Sequence, residues 1–465
     1  MLILLAVIRN FYICLLHILN GEHGGWNSLD DLIEQVQKAA MEAARGAVEA
    51  IVSILNDGVF RSPEIRRDGW RRKHRTQKML HTSIGDICLQ KDTYQHQDTH
   101  KCVPILFESL GITAHQRTSH ELMYRVVHNS VFMSFRKAIN AAGAAICPQT
   151  AINWLRNKVP VLERAIRNGV RAAEVLHVYL DEDHLSALRD PKRARMCLPV
   201  GAVSEGHEKE CSGRYRLINP YYFASSDMTS HSLVDAIRGY ICASYDLSRL
   251  RKIYVHGDGA RWIGEALTDL GCVEYAMDGF HFERELRRCC RRFGKKARSI
   301  RTKLEKAIKA DDLSGVQTIL SEQAAAEDET VQEKTAAFGK YLTTYWNAIR
   351  SRLTSCPIGS CTEALVQHIA SERFSSTPHG WSVRTVTRLA ALRVFVMNGG
   401  SILTPENAQP GGTYAHYIED YIARLVTEQY DFSLFDSVAF PMDGDSGTQQ
   451  LMRLIGKGGQ LTVGQ

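Results

Sequence analysis

The sequence lacks any CxxC pair and any Cys/His run at zinc-finger spacing, although it holds twelve cysteines. Thiols scattered in this way read as free cysteines in a reducing compartment, and their spacing lends a structural zinc site no support. Cys356 and Cys361 share a loop-like stretch, and Cys289 and Cys290 are adjacent. A strong charge of one sign is lacking too. The formal net charge is +6 over 465 residues, which says less than where the charge is placed. A secretory leader is not recognisable either. The opening "MLILLAVIRNFYICLLHILN" has no basic n-region and no small-residue cleavage site, and Arg9 and His17 interrupt it. Its length sits at the limit for a membrane span. A helix packed on the body, or a start codon assigned too far upstream, accounts for it better.

What is present is the composition of an ordinary globular protein, 44% hydrophobic and 23% charged, which excludes global disorder. The length suits about two to four structural units. Residues 28–56 carry apolar positions at helical spacing with Ser28 as N-cap. Next comes "RSPEIRRDGWRRKHRTQK", with eight Lys/Arg against two acids, running into a hairpin around Ser83–Gly85. Arg71, Arg72, Lys73 and Arg75 suit contact with phosphates; a solvated linker fits the composition equally. Residues 134–157 read as helix, turn at Gly143 and second helix from Pro148, the helix-turn-helix layout. That second helix offers Gln149, Thr150, Asn153, Arg156 and Asn157 to DNA, although any two packed helices can share the pattern.

From residue 175 the text changes. "VLHVYLDED", "RMCLPVGAVSEG", "NPYYFAS", "KIYVHGDGA" and "CVEYAMDGF" read as strands, with helices between the later ones, an α/β layer. The chain is then nearly all helical to about residue 353. Another helix is expected in "CTEALVQHIASERF" and one more near "YAHYIEDYIARLVTEQY" in an otherwise irregular tail.

Asp181 and Asp183 share a strand face, because residues two apart point the same way. Asp258 ends a second apolar strand, and strand ends are where ligands sit in open α/β sheets. Either acid alone reads as a cap or loop carboxylate; together they point to a cation site. Clustered carboxylates suit Mg²⁺ or Mn²⁺, and a pair of such ions serves phosphodiester chemistry. Glu363 is the candidate third acid, though a first-turn glutamate is also ordinary. Asp278 and His281, three apart, read alone as a helix cap and a surface histidine. Between 284 and 303, ten basic residues stand against one acid. The spacing of Arg284, Arg287, Arg288, Arg291, Arg292, Lys295 and Arg298 predicts one basic helix face for a nucleic-acid backbone.

Taken together, "YLDEDH", "HGDGARWI", "MDGFHFERELRR", "GSCTEALVQHIASERFSSTPHGWS" and "MNGG" resemble bacterial insertion-sequence transposases of the ISLre-two family, relatives of the Mutator-like group. The resemblance covers roughly residues 60–400, with the motifs in order; the apolar first twenty residues have no counterpart in it. It implies an α/β fold: an RNase H-like catalytic core with a long all-helical insertion, preceded by a mainly helical DNA-binding region. The implied domains are an N-terminal helical segment (1–60), a DNA-binding region (61–165), the first part of the core (170–283), the insertion (284–353), the last part of the core (354–400) and a tail (401–465).

The resemblance also implies a DDE triad of Asp181, Asp258 and Glu363. Asp183 is the rival first acid and a possible further metal ligand, and Asp278 and His281 match a C/D-x-x-H signature. Two Mg²⁺ ions, replaceable by Mn²⁺, would assist cleavage at the element's ends and strand transfer into target DNA. Trp381 and Arg373, in the stretch after the third acid, would position DNA; core packing for the first and a surface salt bridge for the second are their ordinary alternatives. The expected partner is double-stranded DNA, element ends and target alike, bound by a homo-oligomer at the nucleoid of a bacterial cytoplasm, with no membrane role. The alternatives are an RNase H-like nuclease without strand transfer and a non-catalytic helix-turn-helix DNA-binding protein.

Overall fold

The computed structural model describes residues 2–20, 27–159, 170–188, 195–212, 214–356, 361–376, 380–402 and Tyr414. The helix expected near 414–430, Tyr414 apart, and the rest of the tail lie outside the described residues. The chain divides into two units: residues 1–79, 87–116 and 409–465 form one, and residues 80–86 and 117–408 the other.

In the first unit, α1 (Leu2–Leu19) lies along α2 (Leu29–Arg61). Ser28 caps α2 by accepting the backbone N–H of Asp31, and Asp30 and Asp31 put acid in the first turn, where the helix dipole favours it. Gly46 lies so close beneath Val7 that an added Cβ would meet its methyl at 3.4 Å. The apolar opening is thus a helix packed on α2. No helix among the described residues is long and apolar enough to cross a membrane.

The short α3 (Pro63–Arg67) leads to β1 (Trp70–Thr82) and β2 (Gly85–His96), which form a three-stranded sheet with β3 (Cys102–Val103); α4 (Ile105–Ser109) follows. The hairpin turns where expected, with Gly85 at φ +105°. The basic segment is not a linker: it holds the end of α2, α3 and, from Trp70, the first part of β1.

The second unit opens with α5 (His120–Ser130), α6 (Phe135–Ala141) and α7 (Pro148–Asn157). Gly143, at φ +64°, turns the chain after α6, and Pro148 opens α7. The central sheet is built from β4 (Val175–Ser186), β5 (Arg195–Ser204), β8 (Tyr221–Ala224), β9 (Lys252–Gly257) and β10 (Val273–Met277). Between β5 and β8, β6 (Gly206–Cys211) and β7 (Arg214–Ile218) make a separate ribbon. The order is β10-β9-β4-β5-β8. β4 pairs antiparallel with β5, and β5 with β8, whereas β4, β9 and β10 run parallel. The sheet is therefore mixed and the fold α/β, as expected.

Alternation along β4 divides its side chains between two cores. Leu176, Val178 and Leu180 pack with Leu233, Ile237 and Ile241 of α8 (Ser230–Ser244), the crossover between β8 and β9. Tyr179 and Leu185 join the opposite core with α5, α6 and α7. Residues of α14 (Thr362–Val366), α15 (Glu372–Phe374) and α16 (Val383–Met397) complete that core. Asp181 and Asp183 lie on this second face.

After α9 (Arg261–Gly264) and β10, the helices α10 (Gly279–Cys290), α11 (Ala297–Lys309), α12 (Leu313–Ala324) and α13 (Glu329–Arg350) close around their own core. Leu286, Phe293, Leu304, Leu320, Phe338 and Leu342 belong to it. The predicted continuous basic helix is corrected at this point. α10 ends at Cys290, and a tight helical turn over residues 291–296 breaks at Gly294, which takes φ +50°, before α11 begins. Lys295 and Arg298 therefore do not continue the face of Arg284, Arg287 and Arg288.

Candidate active site

Three adjacent parallel strands each deliver an aspartate at or just past their paired residues. The register sets Tyr179 beside His256, and Gly257 beside Met277. Asp181, Asp258 and Asp278 follow within one or two residues of those pairs. The backbone N–H of Asp278 donates to the Gly257 carbonyl at 2.7 Å, which holds the second and third strand ends together. Gly257 permits the packing under Asp258: an added Cβ would lie 2.6 Å from Ile263 and 3.2 Å from the Leu180 carbonyl. Past Asp258, whose carboxylate accepts the N–H of Ala260 at 2.9 Å, Gly259 takes φ +106° and its carbonyl accepts the Tyr345 hydroxyl.

Asp181 is buried, and its Oδ1 accepts the backbone N–H of Glu182 at 2.8 Å. Its carboxyl is raised from 3.8 to about 7, chiefly by burial, with Asp258 and Glu363 adding to the rise and the Glu182 N–H and His281 opposing it. Asp183, on the same face, is engaged elsewhere: its Oδ2 accepts the Ser375 hydroxyl at 2.7 Å. Of the two rivals, Asp181 is thus the one that feels the other acids. Glu182, opposite, stands 3.4 Å from the Trp262 indole nitrogen.

Asp278 caps α10 and is fully buried; it accepts both the backbone N–H and the Nδ1 of His281, at 3.2 and 3.0 Å. The other ring nitrogen, Nε2, lies 3.5 Å from Glu363 Oε1, in the first turn of α14. The hydrogen bond that His281 donates to Asp278 raises its pKa, burial opposes this, and Asp181 adds to the rise. The imidazole held between two carboxylates has its protonated form favoured, which counters the repulsion among the acidic strand ends. Its neighbour Gly279 leaves room for Arg352, whose guanidinium would lie about 2.0 Å from an added Cβ. Among the described residues, Asp181, Asp258 and Glu363 make no ion pair with Lys or Arg.

Comparison with known proteins adds one fact about kinship. A model of an uncharacterised protein family, UPF0236, matches residues 23–408. The chain belongs to that family. Several proteins of Caldanaerobacter subterraneus subsp. tengcongensis carrying the UPF0236 name are similar to it. One is 28% identical over 379 residues, covering 81% of this chain and 79% of its own length. Another, 27% identical over 379 residues and covering 81% and 79%, carries eleven locus designations in its name. A UPF0236 protein of Streptococcus gallolyticus, named for the region 3′ of vanSb, is 23% identical over 398 residues and covers 81% and 85%.

The other predicted contacts of this UPF0236 chain fall into three groups. Arg287, Arg288 and Arg291 are exposed and, with Phe280, Glu283 and Arg284, line an open groove of about 410 Å³. Phe280 is 56% exposed, with the Arg284 guanidinium 5.8 Å from its ring. Lys295 is exposed and Arg292 half-buried. A second group is exposed or half-buried and partly engaged within the protein. Gln149 donates to Asn153 at 3.0 Å, Thr150 lies 3.3 Å from the Cys147 thiol, and Arg156 donates to Ser382 and Thr385. Arg75 and Arg72 meet the buried Asp92, Arg71 donates to the Arg66 carbonyl, and Lys73 lies 3.5 Å from Cys102.

The third group is a correction. Arg373 and Trp381, expected to position DNA, are both in the core. Arg373 donates to the Ser130 carbonyl at 2.7 Å and lies over the Phe135, Phe374 and Trp381 rings; the Trp381 indole donates to the Phe374 carbonyl. Burial pushes the Arg373 guanidinium down to about 10. For Trp381 the packing alternative is the one realised; Arg373 is packed in the core in place of the surface salt bridge.

Sequence reasoning missed a cluster on the same strands. His177 of β4 and His256 of β9 are buried, with Nδ1 of the first 3.0 Å from Nε2 of the second, and Cys356 lies beside them. Burial pushes His177 down to about 4 and His256 to about 3, so both rings are neutral.

Proposed function

We propose that this protein is a DDE-type DNA transposase of the kind its motifs resemble, the ISLre-two family, with an RNase H-like core. The observation that carries this reading is the convergence of Asp181, Asp258 and Glu363. Two of these acids come from adjacent parallel strands and the third from a helix that follows a long insertion. Asp181 feels both of the others, and His281 bridges toward Glu363. The sheet supports the RNase H-like reading: in chain order its first three strands are antiparallel, the fourth and fifth run parallel to the first, and the acids lie on the first and fourth.

The donor set fits hard divalent cations. It is all oxygen, one member is buried, and its carboxylates repel one another with no Lys or Arg pairing among the described residues. Asp181, Asp258 and Glu363 would hold two Mg²⁺ ions, or Mn²⁺ in their place. Such a pair, when bound, activates an attacking oxygen and stabilises a leaving one in phosphodiester exchange. The chain's own residues supply the rest. Asp278 fixes the His281 ring, and His281 holds Glu363 toward the strand ends. The Arg284–Arg291 groove meets DNA phosphates; α6–α7 would recognise the element's ends, and the β1 arginines would by themselves contact phosphates. Asp183, tied to Ser375, braces β4 against the segment after α15.

The eleven locus designations borne by one relative also support the reading, because a mobile element leaves many copies in one genome. The test is excision of a marked element from a plasmid in cells, wild type against Asp258→Asn. Excision by the wild type, lost in a variant that still binds the element's ends, is the expected result. Equal excision by the variant overturns the triad. Cleavage of end-bearing DNA with Mg²⁺ or Mn²⁺ but no joining would make the protein a nuclease.

A further inference from the structure

His177, His256 and Cys356 bring two ring nitrogens and a thiol within 4.8 Å of one another, and all three residues are buried. The two imidazole nitrogens are 3.0 Å apart, with the rings 24° from parallel. Ligand atoms of a tetrahedral zinc site, at bond lengths near 2.1 Å for nitrogen and 2.3 Å for sulfur, lie about 3.3–3.6 Å from one another. The nitrogens at 3.0 Å from each other and the thiol within 4.8 Å of both bracket that spacing. Its position is fixed from several sides. Tyr254 of β9 donates to the Ser355 carbonyl at 2.8 Å, and Cys356 packs with Tyr254 and Ala276 while its N–H donates to the Ser351 carbonyl.

We propose that His177, His256 and Cys356 form a binding site for one zinc ion, separate from the carboxylate site. Two imidazoles and a thiolate are borderline-soft donors, which select zinc over Mg²⁺. On binding, the Cys356 Sγ–H bond breaks, its proton passes to solvent, and the thiolate takes the metal; the neutral imidazoles coordinate through their lone pairs. The donors lie upstream of the three acids on the same stretches of chain: His177 four residues before Asp181, His256 two before Asp258, and Cys356 seven before Glu363. A zinc ion there ties the segment leading to Glu363 to the two strands that carry the aspartates. The site stands whether or not the acids cleave DNA.

The test is metal content and metal-linked stability of the full chain, with no activity readout. Protein produced with zinc in the medium and purified without chelator should carry about one zinc per chain. Cys356→Ser and His177→Ala should each lose most of it, while Asp258→Asn keeps it. Cobalt(II) in place of zinc should give a thiolate-to-cobalt absorption band that Cys356→Ser lacks. To separate loss of metal from loss of fold, the wild type is melted with and without a zinc-selective chelator. A melting temperature lowered by several degrees is expected, since binding to the folded state stabilises it. Wild-type protein that takes up neither zinc nor cobalt, or whose melting ignores the chelator, overturns the proposal. So does zinc retained in full by a folded Cys356→Ser chain. Zinc bound by a protein that fails the excision test would leave this site standing and the transposase reading fallen.

Discussion

Asn in place of Asp181 tests the electrostatics of the carboxylate site in metal-free protein. The fold holds the Asp181 carboxyl at about 7 instead of 3.8, chiefly by burial and then through Asp258 and Glu363. A raised folded-state pKa means that the protonated acid favours folding. That advantage is complete below the unfolded value and is lost as pH rises through about 7, where the folded protein bears the whole cost of ionisation. Three units correspond to about 4 kcal/mol as a ceiling, and water entry and relaxation bring it to about 2–3 kcal/mol. Asp181→Asn avoids the cost. Urea unfolding in EDTA, followed at pH 5, 6, 7 and 8, should therefore show the variant gaining on wild type by about 2 kcal/mol between pH 5 and 8. Mg²⁺ at pH 8 should recover stability for wild type and much less for the variant, since the carboxylate that gains from the ion is gone. A margin independent of pH, or one that grows toward acid, refutes the reasoning.

Other substitutions separate the site, the groove and the core. His281→Gln, which cannot carry charge between Asp278 and Glu363, should lower DNA cleavage about 100-fold in a folded protein, read by single-turnover assay. Gly257→Ala forces a methyl into the Ile263 side chain and toward the Leu180 carbonyl; thermal melting should show a loss of about 1–3 kcal/mol. Arg373→Ala should cost about 2–4 kcal/mol in urea unfolding, because the guanidinium packs on three rings. Changing Arg287, Arg288 and Arg291 together to Ala should leave melting unchanged and flatten the log–log salt dependence of DNA affinity by about 2–3 units.

The sheet was legible because its signals are local. Apolar runs ending in acids marked β4 and β9, and Ser28 and Pro148 announced the helices they open. Period-two alternation put Asp181 and Asp183 on one face, and that face is the one observed. The basic run does not make one face because α10 ends at Cys290 and the turn after it breaks at Gly294, where φ is positive. Arg373 misled for a different reason: a guanidinium is ordinarily exposed, and only a cradle of three rings with a carbonyl acceptor lets it sit in the core. No spacing rule finds His177, His256 and Cys356, because their donors are some 80 and 100 residues apart in sequence.

The sequence alone determined the α/β class, the strands that end in acids and the basic segments, since each follows from periodicity and charge within one element. The tertiary structure decided which acids meet. It set Asp181 against Asp258 and Glu363, engaged Asp183 with Ser375, and placed His281 between Asp278 and Glu363. Parallel pairing of β4, β9 and β10 and the return of α14 across a helical insertion produce those meetings. Coulomb energy depends on distance in space and on burial, and neither can be read from distance along the chain.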